Sequence, residues 1–68
     1  MSAIKTPMGL LEMALKKEEA AQRLYDRLLK EPQAGVVRGF LEQLREEETK
    51  HVRMVQRKIV DLRLGKAR

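Results

Sequence analysis

The chain has 68 residues, 43% of them hydrophobic and 37% charged, with one Tyr, one Phe and no Cys, which leaves room for one small domain and excludes two. A domain of this size buries only about 60% of the surface its unfolded chain exposes, so without disulfides it is expected to need a partner chain or a metal. Fifteen Lys and Arg against ten Asp and Glu give a net charge of +5, but the signs are interspersed, which favours a solvated helical surface over a nucleic-acid-binding arm.

Residues 1 to 5 carry no periodic pattern. Thr6-Pro7 then sets a hydroxyl cap before a proline, whose fixed φ suits the first helical position, so helix 1 is predicted from residue 7. From Leu10 to Lys30 there is no Pro, and good helix formers carry apolar side chains at three- and four-residue steps, which extends the helix to about 30. Glu31-Pro32 closes it, because the residue before a proline is pushed out of the helical region while the proline can open the next helix. The reading is completed by a turn at 31–32 and a second helix over 33–64, with Gly65 as its C-terminal cap ahead of a basic tail, Lys66-Ala67-Arg68. Gly35 and Gly39 lie one turn apart in that helix, where each costs about 1 kcal/mol relative to Ala, so a close backbone approach near the turn is expected. No strand pattern occurs.

The fold class is therefore all-α: an antiparallel two-helix hairpin forming a single domain over 1–68, whose exposed apolar side is expected to dimerise into a four-helix bundle. No apolar run exceeds Met8-Gly9-Leu10-Leu11, far short of a membrane span, and the N-terminus lacks the apolar core of a signal peptide. A soluble, cytoplasmic chain is expected, and the lack of Cys suits a reducing compartment and excludes thiolate metal sites.

The apolar pattern breaks at three places. At about 100° per residue, Leu11, Ala14, Leu15, Ala21, Gln22, Tyr25 and Leu29 form the inward stripe of helix 1, with Glu18 at its centre. The same count in helix 2 turns Val37, Leu41, Leu44, Val52, Val55, Ile59 and Leu62 inward, with Glu48 at the centre and His51 beside it. The midpoint of positions 18 and 48 is 33, where the chain folds back, so in a hairpin the two carboxylates share a level. A faint repeat at an offset of 30 also matches Leu11-Glu12 to Leu41-Glu42 and Glu18 to Glu48.

Unpaired carboxylates in a core cost several kcal/mol each, and mutual repulsion adds to that, so something positive must compensate. A two-fold dimer would gather two Glu18, two Glu48 and two His51, a formal −4 that matches two divalent cations. Oxygen-rich ligation with one imidazole per metal suits iron or manganese better than structural zinc. The structural alternative is that Glu18 bends toward Lys17 or Arg45, and that Glu48 pairs with an Arg across the dimer. Gln22 and Glu47 are candidates to orient the ligands, or are solvated surface residues.

Glu48-Thr49-Lys50-His51, preceded by Glu18 with Tyr25 seven residues after it, resembles the rubrerythrin and ferritin-like di-iron carboxylate superfamily, whose four-helix members carry this half-pattern twice. Here it occurs once, so the chain looks like the two-helix members, the encapsulated ferritins, over roughly Leu11 to Ile59. The resemblance implies a ferritin-like four-helix bundle made by a homodimer, with an iron pair at the interface and two ions per dimer. It implies Glu18 and Glu48 as iron ligands or bridges and His51 as a terminal ligand, with manganese or zinc as substitutes. Tyr25 matches a tyrosine near the metals that hydrogen-bonds a ligand or supplies an electron, an ordinary core Tyr being the alternative. The implied activity is ferroxidation, Fe(II) to Fe(III) with dioxygen or peroxide, in iron storage or detoxification.

Three departures qualify it. Lys17 and Ala20 stand where the acidic entry site of encapsulated ferritins needs carboxylates. No long tail with an encapsulin-targeting peptide follows helix 2, so an encapsulin shell, the nanocompartment of those proteins, is an implied partner without its usual address. No rubredoxin-like Cys cluster is present, which makes a rubrerythrin-like peroxide reductase the secondary reading. Leu10, Met13, Leu24 and Leu28, with Val36, Phe40 and Met54, exceed a single bundle seam and could pack dimers into a ring or simply wrap the core edge. The rival from another class is a basic helical-hairpin dimer that binds RNA or DNA through an outward face. A third is a structural dimer whose metal site is idle.

Overall fold

The computed structural model describes residues 6–65, so residues 1–5 and the predicted basic tail, Lys66-Ala67-Arg68, lie outside the described residues. Helix α1 runs Pro7–Leu28 and begins as its sequence dictates. Thr6 is extended (φ −133°, ψ 155°), Pro7 takes the first helical position, and the Gly9 N–H donates to Thr6 Oγ1 at 2.9 Å. One N-terminal donor is thereby satisfied. At the other end the helix stops two residues short of the predicted 30. The N–H groups of Lys30 and Glu31 donate to the carbonyls of Arg27 and Leu28, both at 3.1 Å, in a tightened last turn. Arg38 Nη2 reaches back to the Leu29 carbonyl at 2.9 Å, placing a cation at the negative end of the helix dipole.

Glu31 is extended (φ −75°, ψ 136°), as a residue before proline must be. The predicted turn at 31–32 and helix from 33 are corrected here: Pro32–Val37 is a 3-10 helix, and helix α2 runs Arg38–Arg63. Gly35 and the β-branched Val36 and Val37 are poor α formers, and Val37 (φ −111°, ψ 12°) leaves the α region altogether. The tighter winding turns Ala34 inward, where it is 4% exposed beside Leu28 and Leu41 at the closed end of the hairpin. It also takes Val37 off the phase of α2, and Val37, predicted to face inward, is 47% exposed. The close approach expected at Gly35 and Gly39 does not occur, since a Cβ at either would meet no atom within 4 Å. Gly65 does cap α2: its φ is +72°, a conformation glycine adopts without strain, and its N–H donates to the Leu62 carbonyl at 3.1 Å.

The two helices lie side by side in a slab of 45 × 29 × 12 Å, one helix thick. Its core is correspondingly thin. Among the described residues, Ala34, Val52 and Ile59 are the buried hydrophobic ones, and α1 contributes none. Leu10, Leu24, Leu28, Phe40 and Met54 remain between 36% and 65% exposed, on the flank opposite to Gln22, Asp26, Arg45 and Thr49 when the helices are unrolled at about 100° per residue. The all-α hairpin is thus present as a single layer. Among the described residues no helix is long and apolar enough to cross a membrane.

Candidate metal centre

Glu18 lies in the middle of α1, and Glu48 and His51 lie one turn apart on α2, so both α2 side chains fall on one helix face. The turn differs from the predicted one and shifts the register: the cross-helix contacts Glu18–His51, Gln22–Thr49 and Asp26–Arg45 are symmetric about points between 34 and 36 and not about 33, so Glu18 lies nearer the level of His51 than that of Glu48. The three side chains converge. His51 Nδ1 lies 3.3 Å from Glu18 Oε1 and 3.4 Å from Glu48 Oε1. One ligand atom from each residue can be chosen so that all lie within 4.8 Å of one another, close enough for a single cation to touch all three.

Glu48 side-chain exposure is 19% and Glu18 is at 31%. Glu48 Oε1 is buried and makes no hydrogen bond, its 3.4 Å contact with His51 Nδ1 falling short of one, an arrangement that is costly unless a cation or a better-placed donor completes it. The two carboxyls compete for one proton. Glu48 is held above the usual carboxylate range, first because its protonated form hydrogen-bonds Glu18, then by burial and by the charge of Glu18. Glu18 is held below that range, first by the hydrogen bond from Glu48, against opposing desolvation, with His51 also favouring its charged form. The opposite shifts of the two carboxyls mark a place where a positive charge between them is favoured. An orphaned buried oxygen, a second carboxylate and an imidazole form an oxygen-rich donor set that fits a divalent first-row metal.

Neither pairing expected of Glu18 within the chain, with Lys17 or with Arg45, is made. Arg45 is engaged with Asp26, its Nε donating at 2.7 Å and its Nη2 at 3.4 Å, and Lys17 forms no ion pair with Glu18 among the described residues. Tyr25, two turns after Glu18, is half-buried, and its hydroxyl makes no hydrogen bond to Glu18, Glu48 or His51. Gln22 does not reach Glu18 either. Its Nε2 donates to Thr49 Oγ1 at 3.2 Å, and Glu47 is exposed.

Sequence reasoning missed the polar clasp made by Gln22, Asp26, Arg45 and Thr49. A signal for it existed, because Gln22 with Thr49 and Asp26 with Arg45 are each symmetric about the same point between 35 and 36. That midpoint lies two to three residues beyond the 33 used to align Glu18 with Glu48, and it is the one the cross-helix contacts follow. The chain matches no family model, and neither the curated proteins nor the solved structures compared with it include a similar one.

Proposed function

We propose that the chain is a ferroxidase-type iron-binding protein whose site, Glu18, Glu48 and His51, is shared by two copies in a four-helix bundle. The observation that carries this reading is the convergence of these three side chains from two helices around the orphaned Glu48 Oε1. Dimerisation is supported by a slab 12 Å thick that leaves one flank apolar and without a second layer. In a bundle of two such hairpins each helix packs against its hairpin partner on one side and the new layer on the other. Glu18 and Glu48 then lie midway between the two seams, and His51, 47% exposed at its side chain, lies toward the open one. Two copies would supply four carboxylates and two imidazoles for two ions.

Fe(II) is the substrate in this reading: two ions give up one electron each, and dioxygen accepts the pair with two protons, leaving as hydrogen peroxide. The residues of the chain hold the ions, and a cation bound between Glu18 and Glu48 competes with protonation of Glu48. Tyr25 is the candidate to hydrogen-bond a ligand or supply an electron. Manganese or zinc would occupy the same donors without the same oxidation chemistry. A cytoplasmic setting, a ring of dimers and an enclosing shell belong to the reading as further expectations.

A second reading is favoured by one observation. Lys50, Arg53 and Arg57 line a single shallow depression on α2 with Met54, and none of them has a carboxylate partner among the described residues. Such a face suits phosphates, so RNA or DNA binding is the alternative. Anaerobic Fe(II) loading followed by elemental analysis, on a species whose mass is fixed by light scattering, tests the two together. About one iron per chain on a dimer or its multiple, with dioxygen consumed on admission of air, is the expected result. No bound iron, together with salt-sensitive nucleic-acid binding, would replace the first reading by the second.

A further inference from the structure

The fully buried part of this hairpin's core is small, the rest of the inward apolar stripe being half-buried. Only Ala34, Val52 and Ile59 are buried hydrophobic residues among those described, and none of them lies on α1. Apolar burial is non-directional, so it constrains register less sharply than hydrogen bonds do. The site does not tolerate a shift of register: its ligand atoms meet within 4.8 Å, whereas one helical turn of slip is about 5.4 Å. Polar contacts with fixed geometry can supply the missing register.

We propose that Thr49, with Gln22 and the Arg45–Asp26 pair, forms a register clasp that positions Glu18 against Glu48 and His51; this rests on the metal-centre reading above. Thr49 Oγ1 is the hub. It accepts from Arg45 Nη1 at 2.6 Å and from Gln22 Nε2 at 3.2 Å, and donates to the Arg45 carbonyl at 3.3 Å. Arg45 is in turn held by Asp26 at 2.7 Å. Each contact is tied to a ligand through the helix itself. Gln22 is one turn beyond Glu18, Thr49 directly follows Glu48, and Arg45 is three residues before it. None of the four bonds a ligand side chain, so they act by setting the rotation and axial position of α2 on α1. They also occupy the flank away from the apolar one, leaving that flank free for a second layer.

The test is Co(II) titration of the full chain, read by its visible absorption bands, alongside a urea unfolding curve of the metal-free protein. Thr49→Val keeps the shape of the side chain and removes the hydroxyl. It is expected to weaken Co(II) binding by about tenfold or more and to alter the bands at saturation, under conditions where the protein is fully folded, while Thr49→Ser restores both. Gln22→Leu, which keeps a good helix former and removes one contact, is expected to act in the same direction and decides the matter if Thr49→Val does not fold. A clasp that only stabilises the hairpin would lower the urea midpoint and leave the affinity and bands unchanged, which would overturn the proposal. Wild-type protein that takes no Co(II) would overturn the metal-centre reading and the clasp with it, a result distinct from equal binding by wild type and variants.

Discussion

Replacing Glu48 by Gln keeps the length and shape of the side chain and removes one charge from the cluster, which separates a ligand from a structural partner. Above the raised pKa of Glu48 both carboxyls are ionised, with their ligand atoms within 4.8 Å of each other. Two charges at that spacing repel by about 3 kcal/mol at an effective dielectric of about 20, and by about 1 kcal/mol in water. The pair is part-buried, with Glu18 at 31% and Glu48 at 19% exposure, so the relief should lie toward the lower end, about 1 kcal/mol. For a domain of this size that corresponds to a rise in melting temperature of roughly 4–8 °C for the metal-free protein. The assay is thermal unfolding by circular dichroism at pH 8 with a chelator present and chain concentration fixed, paired with Fe(II) or Co(II) titration. Metal affinity should fall at least 100-fold, on the order of 3 kcal/mol, because a carboxylate ligand is lost. A metal-free variant destabilised by several kcal/mol would refute the reasoning and identify Glu48 as an ion-pair partner instead.

The pH dependence of the metal-free protein has a defined sign. Glu48, raised above 4.5, contributes stability below that value that is lost as pH climbs through its folded-state pKa, while Glu18, lowered below 4.5, contributes stability above that value that is lost as pH falls through its own. Urea midpoints should therefore peak between the two and decline toward pH 8, while metal affinity rises over the same interval as the shared proton leaves; parallel trends in both would contradict the shared-proton account. Phe40 is 59% exposed on the apolar flank, and Phe40→Asp should weaken self-association by roughly 2–4 kcal/mol per dimer, on the order of 30- to 1000-fold in the dissociation constant. Sedimentation over a dilution series measures this, and an unchanged mass at every concentration would remove Phe40 from the interface.

The helix boundaries were legible where local chemistry sets them. Thr6 caps, Pro7 starts, Glu31 extends before Pro32, and Gly65 takes a positive φ, each for a reason carried by that residue and its neighbour. The segment after Pro32 was misread because proline at a helix start is compatible with both α and 3-10 winding. The choice fell to Gly35, Val36 and Val37, whose low α propensity is weighed against burial of Ala34 only once the hairpin closes. Arg38 reaching the Leu29 carbonyl was likewise hidden, because it depends on that turn.

The sequence by itself determined that the chain is two helices, which residues break their apolar stripes, and that Glu18 and Glu48 fall in the middle of facing helices. All three follow from periodicity and from where a proline folds the chain back. Only the tertiary structure decided that His51 Nδ1 approaches both carboxylates, that Glu48 Oε1 nonetheless makes no hydrogen bond, and that Arg45 turns to Asp26 and Thr49. Those outcomes depend on the rotation of each helix about its axis and on rotamers to within an ångström. A pattern of residue types constrains such quantities only to a face, and it is the contact between faces that selects the partner.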